Sequence, residues 1–183
     1  MDHQHVVRAV RAEEWQRVKA LRLDALRDPV APVAFLETLG QAEERPDALW
    51  QERARGASHG RAARQFIAEG PDGEWGGSVT VLVEEEGTTD FFDVPVEKAQ
   101  AHVVGVFVRP GLRGTGLAEA LFVAALEWAW ALEGPALERV RLFVHEENPR
   151  AAAFYRRIGF VPSGRVVKAE SGAEEHEYVL GRA

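Results

Sequence analysis

The sequence predicts a mixed α/β fold, one sheet with helices on both faces. Three observations carry that reading. Strand-like and helix-like apolar patterns alternate along the chain in the order β-α-α-β-β-β-α-β-α-β-β. Glycine and proline punctuate most junctions between them. The 183 residues, 46% hydrophobic and 28% charged, suit one globular domain over 1–183, with no internal repeat, low-complexity run or linker.

Residues 6–10 read as a short first strand. Residues 12–27 carry Trp15, Val18, Leu21, Leu23 and Leu26 at roughly helical spacing and stop at Asp28-Pro29. Residues 31–41 are ambiguous. Pro46 suits the first turn of a helix running to about Arg55, which the glycines of 56–60 should break. Residues 64–69 and 77–84 read as strands joined by the turn Gly70-Pro71-Asp72-Gly73. Residues 87–98 read as a long loop, and 101–108 as a strongly apolar strand. A long helix is expected over 114–133, apolar at Leu117, Leu121, Ala125, Trp128 and Leu132, and ended by Gly134-Pro135. A strand over 139–145, a helix over 149–158 ending at Gly159, and a hairpin of 160–168 with 176–180 complete the chain.

The formal charge of −7 disfavours a nucleic-acid partner, though a local basic patch can still hold a phosphate ligand. Absence of cysteine excludes disulfides, a cysteine nucleophile and thiolate metal sites. The six histidines (His3, His5, His59, His102, His145 and His176) match no ligand spacing, so no metal is expected. No basic-then-apolar leader is visible and no apolar run is long enough for a bilayer. The expectation is a cytoplasmic protein with no membrane partner.

The segment VFVRPGLRGTGLAEALFVAAL, from Val106 to Leu126, holds the chemical signal. A strand runs into a glycine-rich turn that opens a helix. The first amides of a helix have no internal acceptor, and its dipole adds partial positive charge there. Glycines let the backbone approach closely, and Arg113 adds a cation able to bond phosphate in two-pronged fashion. Together these make an anion cradle suited to a pyrophosphate; the bland alternative is a turn with no ligand. Gly111 and Gly116 have Walker spacing, but Leu117-Ala118 follow in place of the lysine and hydroxyl. A dinucleotide fingerprint starting at Gly114 fails at Glu119, where a small residue is needed. A third pattern, Arg/Gln-x-x-Gly-x-Gly/Ala, is met by Arg113, Gly114, Thr115, Gly116, Leu117 and Ala118.

That stretch resembles the GNAT superfamily of acyl-CoA-dependent N-acetyltransferases. Downstream, HEENPRAAAFYRRIGF resembles the family's second motif through Asn148, Ala151, Phe154-Tyr155 and Gly159-Phe160. The resemblance is firm over 101–161 and topological elsewhere. It implies a mixed, mostly antiparallel sheet whose fourth and fifth strands splay apart, with coenzyme A in the gap. It implies that acetyl-CoA, as cosubstrate, sets its pyrophosphate on the amides from Arg113 through Gly114, Thr115, Gly116 and Leu117 to Ala118. The pantetheine arm would pair with the backbone of Phe107 and Val108 like an added strand. Asn148 would bond the arm; it also reads as a helix cap before Pro149, and the two uses are compatible.

The reaction implied is direct attack of an amine on the thioester. A backbone amide near Val106 to Val108 would support the oxyanion. Tyr155 is the candidate general acid for the leaving thiolate, against the plainer use of a core tyrosine. An alkylamine of pKa about 10.4 is neutral in only roughly one molecule in a few thousand at pH 7, a barrier of about 4–5 kcal/mol. His102 is the candidate base, against a solvated histidine at a strand start. His145 is a second choice. Glu84, Glu85 and Glu86 either attract a cationic amine or form a solvated edge. Trp50, Trp75, Phe91 and Phe92 are candidates for an aromatic acceptor wall. The expected partner is a small-molecule or peptide amine, with a homodimer admitted. A protein lysine or N-terminal acetyltransferase, and a non-catalytic acyl-CoA sensor, are the alternatives.

Overall fold

The computed structural model describes residues 4–182; His3 lies outside them. Its seven strands are β1 (Val6–Ala9), β2 (Ala63–Glu69), β3 (Trp75–Glu84), β4 (Gln100–Val108), β5 (Arg139–His145), β6 (Val161–Lys168) and β7 (Glu174–Gly181). They form one sheet in the order β1-β2-β3-β4-β5-β7-β6. Every pairing is antiparallel except β4 with β5. Pairing β5 with β7 puts the closing hairpin's second strand inside and leaves β6 at the edge.

The helices are α1 (Trp15–Arg27), α2 (Ala31–Ala34), α3 (Leu39–Glu43), α4 (Asp47–His59), α5 (Leu117–Ala131) and α6 (Pro149–Arg157). Alternation along the strands sorts two cores. Val79, Val81, Val103, Val140, Leu142 and Val144 meet α5 and α6 on one face. Ile67 and Phe107 meet Val18, Leu21, Trp50 and Ala54 of α1 and α4 on the other. Leu117, Leu121, Phe122, Ala125 and Ala129 make one buried stripe on α5 at i, i+4 and related spacings. Leu117, Leu121 and Phe122 each contribute roughly 1.5–3 kcal/mol by burial.

Three elements depart from expectation. Helix α4 continues through Gly56 to His59. Gly56 is exposed, and its cost of about 1 kcal/mol against alanine is offset by burying Trp50, Ala54 and Ala57 on the inward face. Pro46 serves as the residue before that helix rather than inside it. The ambiguous 31–41 segment resolves into α2 and the start of α3, where Thr38 accepts from the Gln41 amide and Gln41 reaches back to the Thr38 amide. Helix α5 starts at Leu117 because Gly114 and Gly116 both have left-handed backbones, φ +78° and +86°.

Candidate active site

The site is a parting of strands. β4 and β5 share three register positions, Gln100 with Arg139, Ala101 with Val140 and His102 with Arg141. Beyond them β5 stays with β7 as far as His145, while β4 stays with β3. The β5-facing edge of β4 from Val103 to Val108 is therefore left without a strand. A bulge accentuates the turn: Thr80 pairs with Val104 but Ser78 pairs with Phe107, so β4 carries one residue too many around Gly105, at φ +62°. A bulge leaves the extra residue's backbone unpaired and bends its strand. The cleft so formed has a volume of about 1060 Å³.

One end of the cleft is the glycine turn. A short 3₁₀ turn over Pro110–Leu112 precedes it, and the Thr115 hydroxyl donates to the Leu112 carbonyl at 2.6 Å. The first bond into α5 runs from the Ala120 amide to the Gly116 carbonyl at 3.1 Å. The amides of Leu117, Ala118 and Glu119 are thus free of the helix, at its positive end. A Cβ on Gly114 would meet nothing within 4 Å, so this backbone borders open space. Arg113 behaves differently from its neighbours. Its amide already donates to the Pro110 carbonyl at 3.3 Å. Its guanidinium donates to the Val108 carbonyl at 3.0 Å and to Asp28 at 2.8 Å. It fastens the turn to the end of α1, and its charge is already paired. The amides left free by the turn therefore begin after Arg113.

Tyr155 lies on α6 at 9% exposure and lines the cleft. Its ring meets Phe122, Phe154 and Phe160 at 5.7, 5.5 and 6.2 Å. Among the described residues its hydroxyl has no hydrogen-bond partner. Burial pushes its pKa above the usual phenol value, so the proton stays on at neutral pH. Asn148 caps α6, accepting from the Ala151 amide at 3.2 Å, and donates to the Val33 carbonyl of α2 at 3.2 Å. That second bond straps α2 across the splay. Phe107 and Val108 are both buried and point to opposite cores, with the β4 backbone between them at the cleft.

His102 is not the solvated histidine that its place near a strand start suggested. It is 3% exposed, lines the cleft, and packs against Phe143 and Phe91 at 5.6 and 6.3 Å. Its Nδ1 is buried with no hydrogen bond and lies 3.9 Å from the Glu84 carboxylate. Burial first, and then the Arg141 charge, push its pKa down to about 3, so the ring is neutral. Glu84 likewise leaves the solvated edge expected of 84–86: it is buried, and only Glu85 and Glu86 are exposed.

The residue that sequence reasoning missed is Arg141. It is fully buried and forks onto Glu84 at 2.8 and 2.9 Å, with Asp90 at 3.1 Å and Glu177 at 3.0 Å. Arg165 reaches Asp90 at 3.1 Å, and Gln100 donates to Glu84 at 3.1 Å. This network closes the base of the cleft behind His102. Phe91, Phe92 and Phe143 form the aromatic wall in front, with Trp50 on the helix side; Trp75 shares the second core with Trp50 but does not line the cleft. Glu175 also lines the cleft, with burial raising its carboxyl pKa. Among the described residues no group of three or more potential ligands could hold a metal ion, and no helix is long and apolar enough to cross a membrane.

A cleft between diverging strands, with free helix amides at one end, is the architecture that the glycine and Asn148–Phe160 motifs suggested. The model of the acetyltransferase (GNAT) family matches residues 25–160. The chain belongs to that family. A stretch of 90 residues is 34% identical to a mycothiol acetyltransferase of Beutenbergia cavernae; it covers 46% of this chain and 29% of that protein. An acetyltransferase of the GNAT family from Streptococcus pneumoniae superposes with a TM-score of 0.71 at 15% identity, covering 97% of this chain and 99% of that one. Arabidopsis thaliana NAA60, solved in complex with acetyl-CoA, gives 0.69 at 17% identity over 97% and 98% of the two chains. The spermidine N-acetyltransferase of Vibrio cholerae, in complex with CoA and spermine, gives 0.63 at 20% over 97% and 95%. At these identities the likeness is one of fold.

Proposed function

We propose that this GNAT acetyltransferase moves an acetyl group from acetyl-CoA to the primary amine of a small molecule or peptide, by direct attack and within one unit spanning 1–183. The observation that carries the reading is the continuity of the cleft: the unpaired edge of β4 leads from His102 to the free amides that open α5. Those amides, from Gly114 to Ala118, suit the two phosphates of the carrier, and the left-handed glycines let the backbone close on them. The edge at Phe107 and Val108 suits an extended amide-bearing arm, which would complete the ladder that β5 abandons. Bound so, the carrier supplies an activated acyl group.

The residues of the chain then have three tasks. The unpaired β4 amides beside Gly105 can donate to the acyl oxygen as it gains charge. Tyr155 holds a proton and has no acceptor for it among the described residues, which supports its role as donor to the departing sulfur. Burial raises its pKa, but a thiolate released into the same apolar surroundings is raised too, so the transfer stays near balance. His102 is neutral at the ordinary working pH and borders the cleft, which supports its acting as acceptor of the amine's proton. Its low proton affinity makes it a relay rather than a strong base, with Glu84 3.9 Å behind it to stabilise the charged ring.

The Asn148–Val33 strap supports a small acceptor over a folded protein surface, because α2 crosses what would otherwise be an open groove. The test is a thiol-release assay with acetyl-CoA and a panel of amines. Amine-dependent release with a matching acetylated product supports the proposal; release by water alone, or acetyl-CoA binding without any release, refutes it.

A further inference from the structure

The two sides of the cleft's acceptor half differ in charge. Behind His102 the carboxylates of Glu84, Asp90 and Glu177 are matched by Arg141, Arg165 and Arg139. On the α1–α4 side three guanidiniums line the cleft, from Arg22, Arg45 and Arg53, and the one carboxylate paired there, Glu37, is held by the first two. Glu37 is fully used: Arg22 binds one of its oxygens at 3.0 Å and Arg45 the other. Arg53 has no ion pair and no hydrogen bond among the described residues. It rests over the Trp50 ring, 5.3 Å from the centroid. Trp50 itself is 1% exposed, borders the cleft, and has a buried indole N–H with no acceptor. Among the described residues this wall therefore holds three guanidiniums against one carboxylate, and an indole N–H without an acceptor. Partial loss of solvent and the neighbouring Arg45 charge hold Arg53 below the usual arginine pKa, against the pull of Glu37.

We propose that the acceptor carries, besides its amine, an anionic group, a carboxylate or phosphate, which docks on Arg53 with Arg22 and Arg45 beside it. The inference rests on the amine-acetylation reading above and narrows it. A guanidinium presents paired donors to a planar carboxylate or a phosphate, so Arg53 can fix both the position and the orientation of such a group. The same wall repels a polyamine, whose second ammonium would enter a region of unbalanced positive charge. Substrate choice on this surface is opposite in sign to that named for the Vibrio cholerae fold relative.

The experiment compares matched acceptors: α-amino acids against their methyl esters, and phosphoethanolamine against ethanolamine, with spermidine as the polycation. Each is measured with the parent protein and with Arg53→Gln, a substitution at an exposed position on α4. The expected result is preference for the anionic member of at least one pair, falling roughly tenfold or more in Arg53→Gln through acceptor KM, with acetyl-CoA KM unchanged. A preference unaltered by Arg53→Gln, or a preference for the esters or spermidine, overturns the inference while leaving amine acetylation standing. The carboxylate and phosphate pairs separate the two sources of charge. A second readout needs no turnover: quenching of tryptophan fluorescence by the same compounds in the presence of CoA. Quenching by the anionic member alone, lost in Arg53→Gln, supports the docking site even if no amine is acetylated; absence of both quenching and preference overturns it.

Discussion

His102 and Arg141 form the last rung of the parallel β4–β5 ladder, and the two strands part immediately beyond them. One is neutral and borders the cleft; the other is charged and has no exposure at all. The arginine fixes the place where the sheet opens, because its fork ties β5 to β3 through Glu84, to the β3–β4 loop through Asp90 and to β7 through Glu177.

Removal of that hub should be severe. Arg141→Leu leaves Glu84, 9% exposed, without an arginine partner, and leaves Asp90 and Glu177 to Arg165 and Arg139 alone. The expected loss is about 3–5 kcal/mol of unfolding free energy in urea titration. Arg141→Lys should recover only part of it, since one ammonium cannot reproduce the two-nitrogen fork of Nε and Nη2 onto Glu84. A loss below about 1 kcal/mol for the leucine variant would show that the network does not hold the splay.

Burial of His102 has a pH signature. Above about pH 6.5 the ring is neutral in both folded and unfolded chains and contributes nothing. Below that the unfolded chain binds a proton that the folded one refuses down to about pH 3. Stability contributed by this group therefore falls as pH drops from 6.5 towards 3, by about 2 kcal/mol at pH 5. His102→Gln should lose less stability than the parent between pH 7 and pH 5, measured by urea unfolding at each pH. Parallel stability curves for the two proteins would contradict the low pKa.

The glycine turn offers a clean separation of strain from space. A Cβ on Gly114 clashes with nothing, so Gly114→Ala is opposed only by its φ of +78°. That strain costs roughly 1–2 kcal/mol of stability. The same methyl would stand where the carrier's phosphates are expected, so acetyl-CoA affinity should fall by tenfold or more in calorimetry. Affinity equal to the parent's would remove Gly114 from the cradle.

Tyr155→Phe deletes a hydroxyl that has no partner among the described residues, so the unfolding free energy should be unchanged or slightly raised. Turnover should fall by roughly 10²-fold or more, with acetyl-CoA KM little altered, if the phenol gives its proton to the leaving sulfur. Equal losses of stability and activity would instead mark Tyr155 as a packing residue.

Much of this molecule was legible in the sequence because local chemistry decides it. The glycines at 114 and 116 permit left-handed backbone, and Asn148 before Pro149 reads as a cap; both are present. The apolar strand over 101–108 is a strand, and its neighbour is the parallel partner from which it parts. What sequence could not tell is which charges are inside. Arg139, Arg141, Phe143 and His145 alternate with valines and a leucine, as they would on any half-solvated strand. Only the arrival of Asp90 from the β3–β4 loop and Glu177 from β7 makes Arg141 a core residue. The pairing of Arg113 was hidden for the same reason: its partner Asp28 is 85 positions away.

Asn148 allows the cap and the strap to be separated. Its Oδ1 accepts from the Ala151 amide while its Nδ2 donates to the Val33 carbonyl. Asn148→Asp keeps an acceptor at the start of α6, where negative charge is favourable, but places a second acceptor against the Val33 oxygen. Asn148→Ala removes both contacts. If the cap dominates stability, the alanine variant should lose about 1 kcal/mol and the aspartate variant much less. If the strap shapes the acceptor space, both variants should raise acceptor KM, the aspartate variant doing so with its fold intact. Unchanged acceptor KM in Asn148→Asp would mean that α2 holds its position without this bond, and that the closure of the groove rests on the packing of 31–41 alone.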